Sequence, residues 1–162
     1  MIRPARAEDA AAIAALLNHW IETSAITFNP VPKTTADILD MIAAKAAAGH
    51  GFFVALDDDG QLLGQASYGQ FRAGAGYRTC MEHSISLSPD ASGKGIGRAL
   101  MTAIEDHARA GGAHQMIAGV SDENADGRAF HERLGYRHIA TVPEAGHKFG
   151  RFIDLVLLQK FL

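Results

Sequence analysis

Two neighbouring stretches hold the residue types that could do chemistry. In MEHSISLS, Met81 to Ser88, one carboxylate stands among small hydroxyls. On a strand, alternation sends Glu82, Ser84, Ser86 and Ser88 to one face and Met81, His83, Ile85 and Leu87 to the other. A strand inside a helix-covered sheet is apolar on both sides, so this polar face either lines a cleft or belongs to a solvated edge. In a cleft, the Glu82 carboxylate is suited to take a proton from a substrate.

The next stretch, SPDASGKGIGRALMTAIEDHA, sets Gly93, Gly95 and Gly97 within five residues and runs straight into a helical pattern. Glycine holds helical backbone poorly. Either these glycines make a tight turn, or they clear side chains from a loop whose N–H groups face an anion at a helix N-terminus. A P-loop is ruled out, because Gly95 follows Lys94 where Ser or Thr is required. A dinucleotide fingerprint matches in part: Gly95-Ile96-Gly97 supplies G-x-G and Asp122 lies at a ribose-contacting distance, but Leu100 replaces the third glycine. The N-terminal half also lacks the second nucleotide-binding unit that such a fold repeats.

The elements that must position these stretches follow from periodicity. Ile13, Leu16, Leu17, Trp20 and Ile21 mark an amphipathic helix, and Thr34 to Ala48 a second, capped by Thr34 or Thr35 and stopped by Gly49. GFFVALDDDGQLLGQASYGQF reads as a hairpin around DDDG, and a third strand lies near Tyr77–Ser88. The glycine loop then opens a helix that ends at Gly111–Gly112. A strand (HQMIAGV), a helix over Ala125–Leu134, and strands near Tyr136–Val142 and Phe152–Phe161 complete the chain. The order α, α, meander, βαβαββ predicts a mixed α/β fold of α+β type, with helices on both faces of a mixed sheet.

Composition narrows the partners. With 162 residues, 48% hydrophobic and 20% charged, residues 1–162 form one globular domain. A net charge of −3 argues against nucleic acid or an anionic membrane as the main partner. Cys80 is the only cysteine, which excludes an internal disulfide and suits a reducing, cytoplasmic setting. It is also a poor nucleophile, lacking a helix N-terminus to activate it. The eight histidines show no metal-ligand spacing, and no metal is expected; His107 and His114 are expected at the surface.

The array Glu82–Leu87, Gly93–Arg98, Asn124 and FHERLGY resembles the GNAT superfamily of acetyl-CoA-dependent N-acetyltransferases. Asn18, ITF at Ile26–Phe28, GYRTCMEHS and GHKFGRFIDLVLLQK are similar to the phosphinothricin and methionine sulfoximine acetyltransferases within it. The resemblance spans essentially the whole chain and implies a sheet of about seven strands, a homodimer and a small amino-acid acceptor. It also implies a cofactor site. Backbone N–H groups from Gly93, Lys94, Gly95, Ile96, Gly97 and Arg98 would cradle the pyrophosphate of CoA. Ile85, Ser86 and Leu87 would pair with the pantetheine arm as an added strand does, with Asn124 bonding the same arm. Glu82 would deprotonate the acceptor amine directly or through water, and a strand N–H near Leu87 would stabilise the oxyanion.

The acceptor pocket that the resemblance implies draws on Phe28, Arg72, Tyr77, Glu82, His83 and Ser84. Arg72 either holds a carboxylate in a bidentate pair or is a solvated loop residue. His83 is expected on the opposite face of its strand in a structural role. His131 stands where many members carry a tyrosine acid, and either protonates the CoA thiolate or packs. Lys148 and Arg151 belong to the subgroup signature without an assigned role. The chain departs from the family at Ser92, where a polar phosphate contact is usual, at Ser86, and at the small Ala73-Gly74 after Arg72. Rival readings are acetylation of a protein N-terminus or another amine, a non-catalytic CoA-binding module, and a nicotinamide dehydrogenase.

Overall fold

The computed structural model describes residues 1–91 and 93–162; Ser92, with the phosphate-contact departure noted there, lies outside them. Seven strands form one sheet: β1 (Ile2–Pro4), β2 (Phe52–Leu56), β3 (Leu62–Gln70), β4 (Cys80–Leu87), β5 (Gln115–Ser121), β6 (Arg137–Lys148) and β7 (Arg151–Phe161), ordered β1-β2-β3-β4-β5-β7-β6. Four helices flank it: α1 (Ala10–Thr23), α2 (Thr35–Ala47), α3 (Ile96–Ala110) and α4 (Ala125–Arg133). Period-two alternation splits β2 between two cores. Phe52 and Val54 pack with Ala10, Ile13 and Ile38 under α1 and α2, while Ala55 joins Leu100, Met101 and Ile104 of α3 on the other face. The expected mixed sheet with helices on both faces is the observed architecture.

Thr34 caps α2 through a reciprocal box with Asp37, worth about 1 kcal/mol. Three expectations need correction. Ile2–Pro4, a short edge strand with too few residues for a readable pattern, pairs with Phe53–Ala55. Tyr77 sits in a 3-10 turn ahead of β4 rather than in it. The last hairpin is longer than expected: β6 runs on past Val142 to Lys148 through a register shift between Val142 and Gly146. Two non-glycine residues in left-handed backbone allow this, Glu144 (φ 54°) in the shifted segment and Phe149 (φ 51°) in the turn, and Glu144 N–H donates to Asp154 Oδ1 at 2.8 Å.

One departure from regular pairing makes the site. Among the described residues β4 and β5 are the only parallel neighbours, and they pair only from Cys80↔Gln115 to His83↔Ala118. Beyond that point β4 continues from Ser84 to Leu87 bonded to β3 alone, while β5 continues with β7. The sheet therefore splits in its middle.

Candidate active site

The split opens a cleft of about 860 Å³ that reaches from the α1–α2 loop, past the free edge of β4, to the start of α3. Ser88 N–H donates to Leu63 C=O at 2.9 Å, so alternation along the β3–β4 ladder turns the peptide groups of Ile85 and Leu87 toward the open side. Leu87 C=O accepts from the Trp20 indole at 2.9 Å. The remaining groups of this edge are an unpaired strand template, the feature an extended ligand chain pairs with.

The glycine loop closes one end of the cleft, and its glycines differ in purpose. Gly93 (φ 73°) and Gly95 (φ 74°) hold left-handed backbone, and a Cβ built at either meets no atom within 4 Å. At Gly97 a Cβ would come 3.0 Å from the Phe130 ring and 3.1 Å from Leu87 Cδ1, so this glycine also lets α3 pack closely. Three of the helices that line the cleft start differently as well. Thr34 caps α2 and Asn124 caps α4, but Gly95 at the cap of α3 has no side chain to give. The first intrahelical bond there is Ala99 N–H to Gly95 C=O, 3.1 Å. Among the described residues no group accepts from Ile96, Gly97 or Arg98 N–H, which leaves donors at the positive end of a helix dipole for an outside anion.

Asn124 also faces the cleft, with its Oδ1 accepting Gly127 N–H at 2.9 Å and its Nδ2 left as a donor. Across from it lie two stacked imidazoles, His83 and His131, with ring centroids 5.0 Å apart and Tyr136 edge-on to both. Burial and the neighbouring ring push His83 down to about 3, so it is neutral. Neither of its nitrogens finds a partner among the described residues. His131 Nδ1 lies 2.6 Å from Gly127 C=O; because a carbonyl only accepts, Nδ1 carries the proton and Nε2 offers a lone pair. Burial lowers the His131 pKa as well, which favours this neutral form. Nε2 is itself buried without a partner among the described residues, and His131 could release a proton only as the disfavoured imidazolium.

Glu82 lies on the other face of β4, as alternation requires, in a second cavity of about 300 Å³ that Ser84 and His83 share with the cleft. Burial raises its pKa, and the positive charge of Lys45 on α2 opposes part of that rise. The carboxylate reaches β5: a Cβ built on Gly119, which lines the cleft, would sit 3.1 Å from Glu82 Oε1. The absence of a side chain at Gly119 thus lets the carboxylate approach the strand that lines the cleft. Cys80, two positions before Glu82, has its thiol pKa raised by burial and by that carboxylate, which leaves it poorly nucleophilic.

The structure gathers most of the sequence-derived residues. Phe28, His83, Ser84, Ile85, Ser86, Leu87, Gly93, Gly95, Ile96, Gly97, Arg98, Asn124 and His131 line the cleft. Glu82 lines the adjoining cavity, and the exposed Lys94 borders the cleft without lining it. Arg72 and Tyr77 are exposed on the β3–β4 loop and line neither space. Arg72 stands over the Phe71 ring, and Gln70 Nε2 bonds the backbone carbonyls of Arg72 and Gly74. Lys45 and Gly119 were not singled out from the sequence. Lys45 is hidden in a helix read for its apolar face, and Gly119 in a strand where a lone glycine usually means weak packing.

Residues that carried the subgroup resemblance without a role turn out to fasten the α1–α2 loop over the cleft. Lys148 Nζ donates to Ser24 C=O (2.7 Å) and Thr27 C=O (2.9 Å), and Asn18 bonds both backbone groups of Lys33. The Phe28 ring lies on β6 at Gly146, where any Cβ would collide with it. Arg151 grips Glu123 with two bonds beside Asn124. Among the described residues no group of three or more His, Cys, Asp or Glu is placed to hold a metal ion, and no helix is long and apolar enough to cross a membrane.

A split parallel pair facing an uncapped, glycine-led helix defines the acetyltransferase class, and comparison with known sequences agrees. The chain belongs to the acetyltransferase (GNAT) family, whose model matches residues 14–136, and it is an N-acetyltransferase. It is 37% identical over 98% of its length, and 92% of the relative's, to the L-methionine sulfoximine/L-methionine sulfone acetyltransferase of Pseudomonas paraeruginosa. Two crystal structures are similar throughout. The phosphinothricin acetyltransferase of Sinorhizobium meliloti, solved with acetyl-CoA, matches at a TM-score of 0.95 and 31% identity, covering 100% of this chain and 88% of the other. The ribosomal-protein-alanine N-acetyltransferase of Brucella melitensis matches at 0.95 and 33%, covering 100% and 99%.

Proposed function

We propose that this enzyme transfers the acetyl group of acetyl-CoA to the α-amino group of a free amino acid or analogue of the methionine sulfone, methionine sulfoximine or phosphinothricin type, with Glu82 as general base. The observation behind this reading is the carboxylate's place at the junction of two cavities, with bare Gly119 between it and the cleft.

The residues lining the cleft fit acetyl-CoA. Open space at Gly93 and Gly95 and the unclaimed N–H groups of Ile96, Gly97 and Arg98 suit a pyrophosphate, with the Arg98 side chain beside them. The free peptide groups of Ile85, the Leu87 N–H and the amide donor of Asn124 suit the amide-bearing pantetheine arm. Bound there, acetyl-CoA supplies an electrophilic thioester carbonyl. The chain's own work is proton transfer and placement. An α-amine is mostly protonated at neutral pH, and Glu82, partly desolvated, takes that proton. A small acceptor suits the second cavity. A protein N-terminus, the substrate in the name of the Brucella relative, would need its following residues to leave through the mouth.

The deciding experiment is a thiol-release assay with acetyl-CoA over free amino acids, their sulfone, sulfoximine and phosphinyl analogues, and short peptides. Turnover of the analogues above the peptides is expected. Turnover of peptides alone would move the acceptor class to protein N-termini, and no thiol release with any amine, despite acetyl-CoA binding, would leave a regulatory module.

A further inference from the structure

The cavity beside Glu82 contains a cation that the reaction outlined above does not use. Lys45 enters from α2 with its ammonium half-buried over the backbone of Gly69: a Cβ built there would lie 2.7 Å from Nζ. The amine takes space that a side chain at this position of β3 would claim. Among the described residues Nζ makes no hydrogen bond, and the ion pairs of the molecule lie elsewhere, at Asp9, Glu8, Asp106, Glu132, Glu123 and Glu105. Glu82 lies across the cavity, near enough to influence Lys45 and beyond the 4.0 Å of an ion pair. The remaining wall is polar and uncharged: Ser67, Gln70, Ser84 and the neutral His83.

One cavity thus presents a carboxylate and an ammonium held apart. An α-amino acid is the complementary object, with an ammonium and a carboxylate on one carbon. We propose that Lys45 binds the α-carboxylate of the acceptor while Glu82 receives its amine, so that Lys45 sets the preference for free amino acids. This rests on the acceptor class proposed above. A partly desolvated ammonium without an internal partner gains from an incoming anion what an exposed lysine would lose to water and salt. The pairing also fixes direction, since the ligand's amine must then point at Glu82 and Gly119. A peptide's N-terminal residue, whose carboxyl is already an amide, lacks this anchor.

The test compares methionine sulfone, whose only anion is its α-carboxylate, with its α-amide, in the wild type and in Lys45→Met. Both the Kd from titration calorimetry and the KM from thiol release are read. The wild type should prefer the acid by about ten- to a hundredfold, and that preference should collapse in Lys45→Met. Phosphinothricin α-amide, which keeps only the side-chain anion, tells the two anionic groups apart. If Lys45→Met weakens this compound and spares methionine sulfone, Lys45 reads the side-chain oxygens and the carboxylate assignment is overturned. Equal weakening of acid and amide, or an unchanged preference, overturns it as well. Failure of the acceptor class looks different: the wild type would then turn over peptides and no free amino acid, whatever Lys45→Met does to binding.

Discussion

The two halves of the proposed site, one for acetyl-CoA and one for the acceptor, are made of different material. The cofactor side is mostly backbone: left-handed glycines, the bare start of α3 and the free edge of β4. The acceptor side is mostly side chain, with Lys45 from α2, Gln70 from β3 and Glu82 from β4 converging from separate parts of the chain. Backbone donors bind what every acetyl-CoA enzyme shares. Side chains are what a family exchanges to change its amine. Changes on the acceptor side should therefore alter rate and preference with the cofactor still bound, whereas changes in the glycine loop should abolish cofactor binding without selecting among amines.

The largest effect falls on Glu82. Glu82→Gln keeps the shape and removes the base, so the rate at neutral pH should drop by roughly 10²–10⁴-fold. Acetyl-CoA should stabilise the variant against heat as it does the wild type. Raising the pH should recover part of the loss, because free amine then forms without help. A wild-type rate at neutral pH would hand the proton to another group and dissolve the division between the halves.

Gly95→Val probes the other half. A β-branched residue at φ 74° is strained, and its side chain would fill the open space before α3. At a hundred times its Kd, acetyl-CoA should add about 2.7 kcal/mol to the stability of the wild type. Most of that shift should vanish in the variant, measured against its own ligand-free melting temperature. A full shift would remove the glycine loop from the cofactor site.

The same contrast explains what could be read in advance. The glycine loop, the polar face of β4 and the Thr34 cap are local patterns, each set by conformational or hydrogen-bonding needs of adjacent residues. Mixed topology followed from element order. Lys45 was not legible, because a lysine on an amphipathic helix is ordinarily solvated and the bare Gly69 it lies over is 24 positions later, on β3. The end of β6 was missed because proline and glycine in VPEAGHKFG suggest a loop, while tertiary pairing with β7 holds Glu144 and Phe149 in left-handed backbone. His131 shows a third kind of limit. Its position could be read, but its tautomer depends on Gly127 C=O one helical turn before it.

A smaller effect lies in the pH profile. As the proposed base Glu82 must be ionised to act, and burial holds its pKa above the ordinary carboxylate value of 4.5. The acid limb of kcat/KM should therefore lie above that value, with activity lost as the pH falls through it. Of the groups facing the carboxylate, Lys45 is the cation, Cys80 is an un-ionised thiol whose pKa is raised, and His50 beside Lys45 is held toward neutral by burial and that charge. Removing the cation makes the carboxylate harder to ionise, so Lys45→Met should move the acid limb to higher pH. The amine's own limb is common to both proteins and cancels in the comparison. An unmoved acid limb would mean that the two charges do not sense each other at the site.

The smallest effect is expected at Arg72, and it sharpens the boundary of the acceptor side. The resemblance offers Arg72 for the carboxylate, yet its side chain is exposed, lines neither cavity, and leaves the loop's backbone to be tied by Gln70. An exposed guanidinium pairs weakly, so Arg72→Ala should raise the KM for methionine sulfone by less than about fivefold. A larger rise, confined to the acid and absent for its amide, would show that the side chain swings in to read the same anion as Lys45. The double variant Lys45→Met/Arg72→Ala separates the cases. Independent sites give losses that add, whereas two cations on one carboxylate give a double variant that deviates from the sum, because each then changes what the other contributes. Additive losses with a small Arg72 share would leave Lys45 and Glu82 as the pair that recognises the amino-acid head.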